Sequence, residues 1–196
     1  MISVLIPTCE VHPDIARVEQ ALSGYEFEVI VEYDEWKGGK GLTLRKALMK
    51  AKGDLIVWLD SDFQIEPWHV KYFVRMLEKT NADVVIGSRK LPWSIARRNL
   101  TRSIVSTVSS WLIRILFRLP FSDTQAGIKL FKRAVLAGNG QVNGFGYDIE
   151  VLYKIYHQKH KILELPILVK ESKESTVNLK SIFKTLKEVL WLRSQL

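Results

Sequence analysis

Residues 54–64 read DLIVWLDSDFQ, and the reading of this stretch decides the fold class. Leu55–Leu59 is an apolar run of strand length with no polar side. A strand without a polar side is covered on both faces, as in the middle of a parallel sheet flanked by helices. Gly53 closes the helical stretch before it, and Pro67 fits the first position of the helix after it, which runs to about Lys79. Working outward, Ser3–Ile6 is a short strand stopped by Pro7, Phe27–Tyr33 (FEVIVEY) is a strand ended by Asp34, and Val84–Gly87 is another. Helical patterns lie between them, from Pro13 to Leu22 and from the Gly38-Gly39-Lys40-Gly41 turn to about Lys52. This alternation predicts an α/β domain with a largely parallel sheet.

The second half changes rhythm. Leu100, Ile104, Val108, Trp111, Ile115 and Leu119 recur at helical spacing, with Val105, Leu112 and Leu116 beside them, which predicts an amphipathic helix over about 98–119. A strand at Ile128–Phe131, a helix near Asp148–His157, a strand near Ile162–Leu165 and a last helix over about 179–195 follow. No repeat or linker interrupts the chain, so residues 1–196 read as a single domain.

Composition narrows the class. Apolar residues make up 47% of the 196, enough to build a core. The single cysteine, Cys9, excludes an internal disulfide and a cysteine-based zinc cluster. The opening MISVLIPTCE lacks a basic segment and reads as a strand rather than a secretory signal. No apolar stretch is long enough for a standard membrane span, so a cytoplasmic protein, soluble or peripheral, is expected. The net charge of +8 is concentrated: Arg89, Lys90, Arg97, Arg98, Arg102, Arg114 and Arg118 occur with no acidic residue among them. Such a block suits an anionic partner, whether nucleic acid, a phosphorylated substrate or a membrane surface.

Candidate chemistry gathers at strand ends, where open α/β sheets bind ligands. In extended chain Asp60, Asp62 and Gln64 would point the same way. Their oxygens suit Mg²⁺ or Mn²⁺, which keep positions open for phosphates; the bland reading is a strand end and a helix cap. Gly39-Lys40-Gly41 opens a helix, and Lys40 could reach a phosphate there, although on local grounds a plain turn explains the glycines better. Arg89 follows the Val84–Gly87 strand and would lie on the same edge as Asp60. Asp123-Thr124-Gln125-Ala126-Gly127 offers an acid, a hydroxyl and an amide in one turn, or an ordinary polar loop. Asp148 and Glu150 suit a helix start by charge alone. Lys173 stands in a polar loop, where a phosphate contact competes with simple solvation.

Taken in order, SVLIPT, GGKG with Leu44-Arg45-Lys46-Ala47, AKGDLIVWLDSDFQIEP, GSRK, FSDTQAGIKLFKR, GFGYDIEVLY and ESKES resemble a family-2 glycosyltransferase of the GT-A fold. The nearest subgroup is that of the dolichol-phosphate mannose synthases and polyprenyl-phosphate glycosyltransferases. The resemblance implies a mixed, mostly parallel sheet flanked by helices. It also implies an inverting, metal-dependent transfer from a UDP- or GDP-sugar to a polyprenyl or dolichyl phosphate. Asp60, Asp62 and Gln64 would hold the metal; Pro7, Thr8, Asp34, Lys40 and Asp60 would bind the donor. Arg89, Arg98, Arg102 and Lys173 would bind the acceptor phosphate. Asp123, Gln125 and Asp62 would serve the reacting centre, with Asp123 the first candidate for a base if the acceptor were a hydroxyl.

A phosphate acceptor is already anionic, so positioning and electrostatics would dominate. The basic amphipathic helix would then lie in the membrane interface on the cytoplasmic face, with a membrane subunit or a homo-oligomer as further routes to the lipid. Two other readings stay open at this point. One is a family-2 enzyme acting on a sugar hydroxyl. The other is a basic nucleic-acid-binding module, which the apolar stripe beside the arginines disfavours.

Overall fold

The computed structural model describes residues 1–9, 12–35, 38–96, 100–136, 140–144, 146–170, 187–188 and 190–195, with the backbone alone at 96 and 100–106. The elements bounded within the described residues are, in chain order, β1 (Ile2–Thr8), α1 (Ile15–Leu22), β2 (Phe27–Tyr33), α2 (Lys40–Lys50), β3 (Leu55–Leu59), α3 (His69–Thr80), β4 (Val84–Ser88), β5 (Ile95–Ala96), α4 (Leu100–Phe117), β6 (Ile128–Lys132), α5 (Arg133–Leu136), α6 (Tyr147–His157), β7 (Ile162–Pro166) and β8 (Leu168–Val169). The main sheet has the order β2-β1-β3-β6-β4-β7, and β5 pairs with β8 in a separate ribbon. All pairings in the main sheet are parallel except those of β6, which runs antiparallel between β3 and β4.

The apolar run Leu55–Leu59 lies inside this sheet, as its composition predicts. Ile56 and Trp58 pack toward α2 and α6 with Leu5, Leu44, Phe131 and Tyr147. Val57 and Leu59 pack toward α1 and α3 with Val4, Val18, Leu22, Phe73 and Leu130. Each such side chain contributes about 1.5–3 kcal/mol when fully buried.

Several boundaries differ from expectation. β1 continues through Pro7 to Thr8; its pairing with β3 ends at Leu5, so the missing proline N–H costs no bond on that side. The helix expected from Pro67 begins at His69, two residues later. The β5–β8 ribbon and α5 have no counterpart in the sequence reading, because two to four residues carry no periodicity.

On α4 the buried row is Ile113 and Phe117, while Val108, Trp111 and Ile115 are exposed. Much of the predicted apolar stripe therefore faces outward. Of the last helix only 187–188 and 190–195 are described; Leu192 is buried in the core while Leu190 and Trp191 are exposed.

Candidate active site

The site forms where the carboxyl ends of β1, β3 and β4 meet the amino end of β6. Because β6 runs against its neighbours, the 123–127 loop before it lies on the edge where Asp60 and Arg89 emerge. A cleft there is lined by Asp60, Asp62, Gln64, Arg89, Gly127 and Val169, among others.

Asp60 leaves β3 with its N–H donating to the Gly127 carbonyl (2.9 Å). The chain then turns instead of extending: the Phe63 N–H donates to the Asp60 carbonyl (3.3 Å), and Phe63 takes φ of 45° with its ring buried. The expectation of an extended 60–64 segment is thus corrected, since burying Phe63 demands the turn. Asp62, Gln64 and Asp60 nonetheless share the cleft. The Gln64 N–H donates to Asp62 Oδ1 (3.2 Å) and its amide Nε2 to Oδ2 (2.6 Å), which fixes the Asp62 carboxylate.

Gly127 explains a glycine in the loop. A side chain there would overlap the Asp60 carboxylate, and Gly127 is not among the positive-φ residues, so contact rather than backbone conformation demands it. Gly127→Ala is expected to displace Asp60 and to lower kcat/KM about 10²-fold, as an error near 1 Å at a reacting centre does. Steady-state turnover beside an unchanged melting curve checks this.

Lys40 and Asp60 belong to a charge network that runs from the cleft into the core. Lys40 Nζ lies 2.9 Å from Asp60 Oδ1 and 3.3 Å from Asp148 Oδ2, and Lys129 Nζ lies 2.8 Å from Asp148 Oδ1. Burial alone would push the Lys40 ammonium down, but Asp148 and Asp60 outweigh it and hold it well above the lysine range. Burial favours a neutral Asp148, and the two lysines overcome that to hold its carboxyl below the usual range. For Lys129, burial wins and the ammonium is pushed down despite Asp148.

The glycine turn before α2 is not an open anion cradle. Gly38 and Gly39 donate to the two Asp34 oxygens (2.7 and 2.8 Å), and the Gly41 and Leu42 N–H groups donate to the Asn143 carbonyl (2.7 and 3.2 Å). The Gly41 and Leu42 amides at the start of the helix are therefore engaged within the protein, in keeping with the plain-turn reading of the glycines. Gly39, at φ of 102°, packs so closely on Asn143 that a side chain would strike its carbonyl.

Arg89 is held by Asp123. Its Nε and Nη2 donate to Oδ2 (2.5 Å) and Oδ1 (2.7 Å), and its backbone N–H adds a third bond (3.1 Å). Asp123 is fully buried. Burial favours its neutral form, but Arg89 prevails and holds the carboxyl below its ordinary value. Glu164 of β7 accepts from the Ser122 and Asp123 N–H groups and from the Ser122 hydroxyl (2.9, 3.0 and 2.6 Å), so the loop is itself pinned.

The remaining expected residues are placed as follows. Thr8 is buried and its carbonyl accepts from the Asp34 N–H (2.7 Å); Pro7 is half-buried beside it. Gln125 is half-buried in the 123–127 loop. The Arg102 backbone lies in the first turn of α4, whereas Arg98 and Lys173 fall outside the described residues. Lys129 and Glu164 were not anticipated. A lysine inside IKLFK reads as the solvent side of an alternating strand, and Glu164 gives no local signal.

The donor set fits a small hard cation. Among the described residues no group of three or more carboxylate, histidine or cysteine ligands is assembled. Two carboxylates and an amide at a cleft mouth instead match an ion that takes its other ligands from a bound phosphate. Asp60 already carries a cation against one oxygen, the Lys40 ammonium, and its side chain is 45% exposed.

Fold and site together define the GT-A arrangement: an open, mostly parallel sheet with paired aspartates after a central strand. Residues 3–136 match the family model described as glycosyl transferase family 2, and the chain belongs to that family. It is 26% identical over 161 residues to glycosyltransferase AglD of Haloferax volcanii, covering 81% of this chain and 25% of that protein. It is 27% identical over 164 residues to dolichyl-phosphate beta-glucosyltransferase ALG5D of Trichomonas vaginalis, covering 78% of this chain and 49% of that protein. The chain thus spans a quarter of the first and about half of the second. Glucosyl-3-phosphoglycerate synthase from Mycobacterium tuberculosis, solved with UDP, superposes with a TM-score of 0.71 at 18% identity, covering 99% of this chain and 80% of that one. Its complex with Mn²⁺ and UDP-glucose gives 0.73, at 18% identity, covering 98% and 78%. At such identity the likeness is one of fold.

Proposed function

We propose that this chain transfers a sugar from a nucleoside-diphosphate sugar to a polyprenyl-type lipid phosphate at a membrane surface. The observation that carries the reading is the convergence of Asp60, Asp62 and a carboxylate-clamped Arg89 on one cleft. Asp60 and Asp62, with Gln64, would hold Mg²⁺ or Mn²⁺, whose charge offsets that growing on the departing diphosphate. The synthase of similar fold was solved with Mn²⁺ and UDP-glucose, and one relative is named for a dolichyl-phosphate acceptor; both agree with this assignment.

Arg89 binds the acceptor phosphate. Asp123 engages Nε and Nη2 of a guanidinium that also lines the cleft. A clamped guanidinium needs little reorganisation when the anion arrives. Lys40 lies beside Asp60, where its ammonium meets the donor diphosphate. An acceptor phosphate attacks without prior deprotonation, and one in-line displacement inverts the sugar carbon. A hydroxyl acceptor would need a base, and Asp123, the first candidate, has both oxygens bonded to Arg89. That occupation favours the phosphate acceptor.

Among the described residues no helix is long and apolar enough to cross a membrane. The exposed Val108, Trp111 and Ile115 of α4 stand beside Arg114 and Arg118, a mixture suited to a headgroup layer. Incubating the protein with labelled UDP- and GDP-sugars, Mg²⁺ or Mn²⁺, and a short-chain polyprenyl phosphate should yield a lipid-linked sugar phosphate. Absence of product from every common donor overturns the reading.

A further inference from the structure

The β5–β8 ribbon has one side on the cleft and the other in solvent. Val169 is buried, lines the cleft and bridges to Ile65. The Lys170 N–H donates to the Gln64 carbonyl (2.7 Å), and the Leu168 N–H donates to His69 Nε2 (3.1 Å). His69 Nδ1 donates in turn to the Glu66 carbonyl (2.9 Å). The ribbon is therefore fixed to the turn that carries Asp62 and Gln64. On its outer side Ile95 and Leu168 are register partners, 59% and 41% exposed. Paired residues of neighbouring strands share a face, so the two form one apolar strip.

Trp93, two residues before Ile95, adds an exposed aromatic ring to this segment at a conformational cost. Ser94 N–H donates to the Leu91 carbonyl (3.1 Å), Pro92 follows Leu91, and Trp93 takes φ of 75°. This is the pattern of a type II turn, whose third position glycine fills without steric conflict. A tryptophan there is held in a disfavoured backbone region, yet its side chain is 88% exposed and buries nothing in the fold. Arg89 and Lys90 precede the turn in sequence, Arg97 and Arg98 follow it, and no acidic residue lies between Arg89 and Arg118. An exposed indole and two exposed aliphatic side chains, borne partly by a segment whose sequence is rich in cations and free of acids, match the interface of an anionic bilayer.

We propose that Trp93, Ile95 and Leu168 form a lip that seats the mouth of the cleft on an anionic bilayer, so that a lipid phosphate enters beside Arg89. This rests on the lipid-phosphate reading above and adds the orientation of the molecule at the surface. α4 supplies a contact along the segment, whereas the lip sets which edge of the sheet faces the lipid.

Two measurements test it. With vesicles of phosphatidylcholine and phosphatidylglycerol containing brominated acyl chains, the wild-type chain should show tryptophan quenching, part of which Trp93→Phe removes. Trp93→Gly relieves the turn, so its melting temperature should hold or rise while vesicle partitioning falls at least tenfold. Ile95→Ser with Leu168→Ser should add to that loss. Turnover of a short-chain polyprenyl phosphate free in solution should stay within about twofold in Trp93→Gly, while turnover of a long-chain acceptor in vesicles falls in step with partitioning. Full vesicle binding by Trp93→Gly, or quenching that Trp93→Phe leaves unchanged, overturns the lip. So does an equal loss of turnover with the soluble and the embedded acceptor. No turnover of either acceptor by the wild type instead overturns the functional reading, while the quenching still decides the lip.

Discussion

Asp62→Asn is expected to lower kcat/KM about 10³-fold, the loss seen when one element of a preorganised electrostatic site is removed. The substitution takes away a negative charge from the cleft mouth. It also turns an acceptor into a donor opposite the Gln64 amide, which now donates to Asp62 Oδ2 at 2.6 Å. The side chain must swing, and with it the position of any cation shared with Asp60. Gln64→Ala keeps both carboxylates and loses only the bond that orients one, so its effect should be nearer tenfold. Turnover across a metal titration, with Mn²⁺ binding followed separately by electron paramagnetic resonance, checks both. Unchanged turnover in Asp62→Asn removes the metal assignment from this pair.

Asp148→Asn should be the most damaging single change to stability. Lys129 is fully buried in β6, opposite Trp58 on one side and Ile86 on the other. It has Asp148 as its counter-charge and the Ala126 carbonyl (2.8 Å) as a second acceptor. Removing one partner of a buried ion pair leaves an uncompensated charge and costs about 3–5 kcal/mol. At about 2–4 °C per kcal/mol for a domain of this size, the melting temperature should fall by roughly 6–20 °C. Adding Lys129→Met should restore most of the loss, because an apolar side chain then occupies an apolar site and Lys40 retains Asp60. A double mutant as unstable as Asp148→Asn alone would show that the effect is not the stranded lysine. Thermal melts of the four proteins form the cycle.

The candidate site was legible in part, and the legible part has a common cause. Asp60, Asp62 and Arg89 could be placed because each comes within three residues of the end of an apolar run, and strand ends in an open α/β sheet share an edge. The Asp60–Gln64 turn could not be read, since its shape follows from burying Phe63 rather than from the local polar spacing. Lys129 gives no signal of its role for a similar reason. Alternation within IKLFK points it to solvent, but β6 lies between β3 and β4 with both faces covered, and Asp148 on α6 with the Ala126 carbonyl makes that burial tolerable. Residue types alone do not reveal that Gly38 and Gly39 donate to Asp34 and that Gly41 donates to the Asn143 carbonyl, since Asn143 comes from a distant part of the chain.

By itself the sequence determined the alternating strands and helices of the first half, the buried central strand, and the concentration of cations after Val84–Gly87. Those features arise from propensity, periodicity and charge over a few residues, all of which are local. Tertiary structure alone decided that β6 enters antiparallel and brings the 123–127 loop to the same edge. It also decided that Asp123 clamps Arg89 across 34 residues, and that Ile95 and Leu168 pair on the ribbon whose Val169 lines the cleft. Each of these depends on which strands become neighbours, and hydrogen-bond geometry and burial settle that for the chain as a whole.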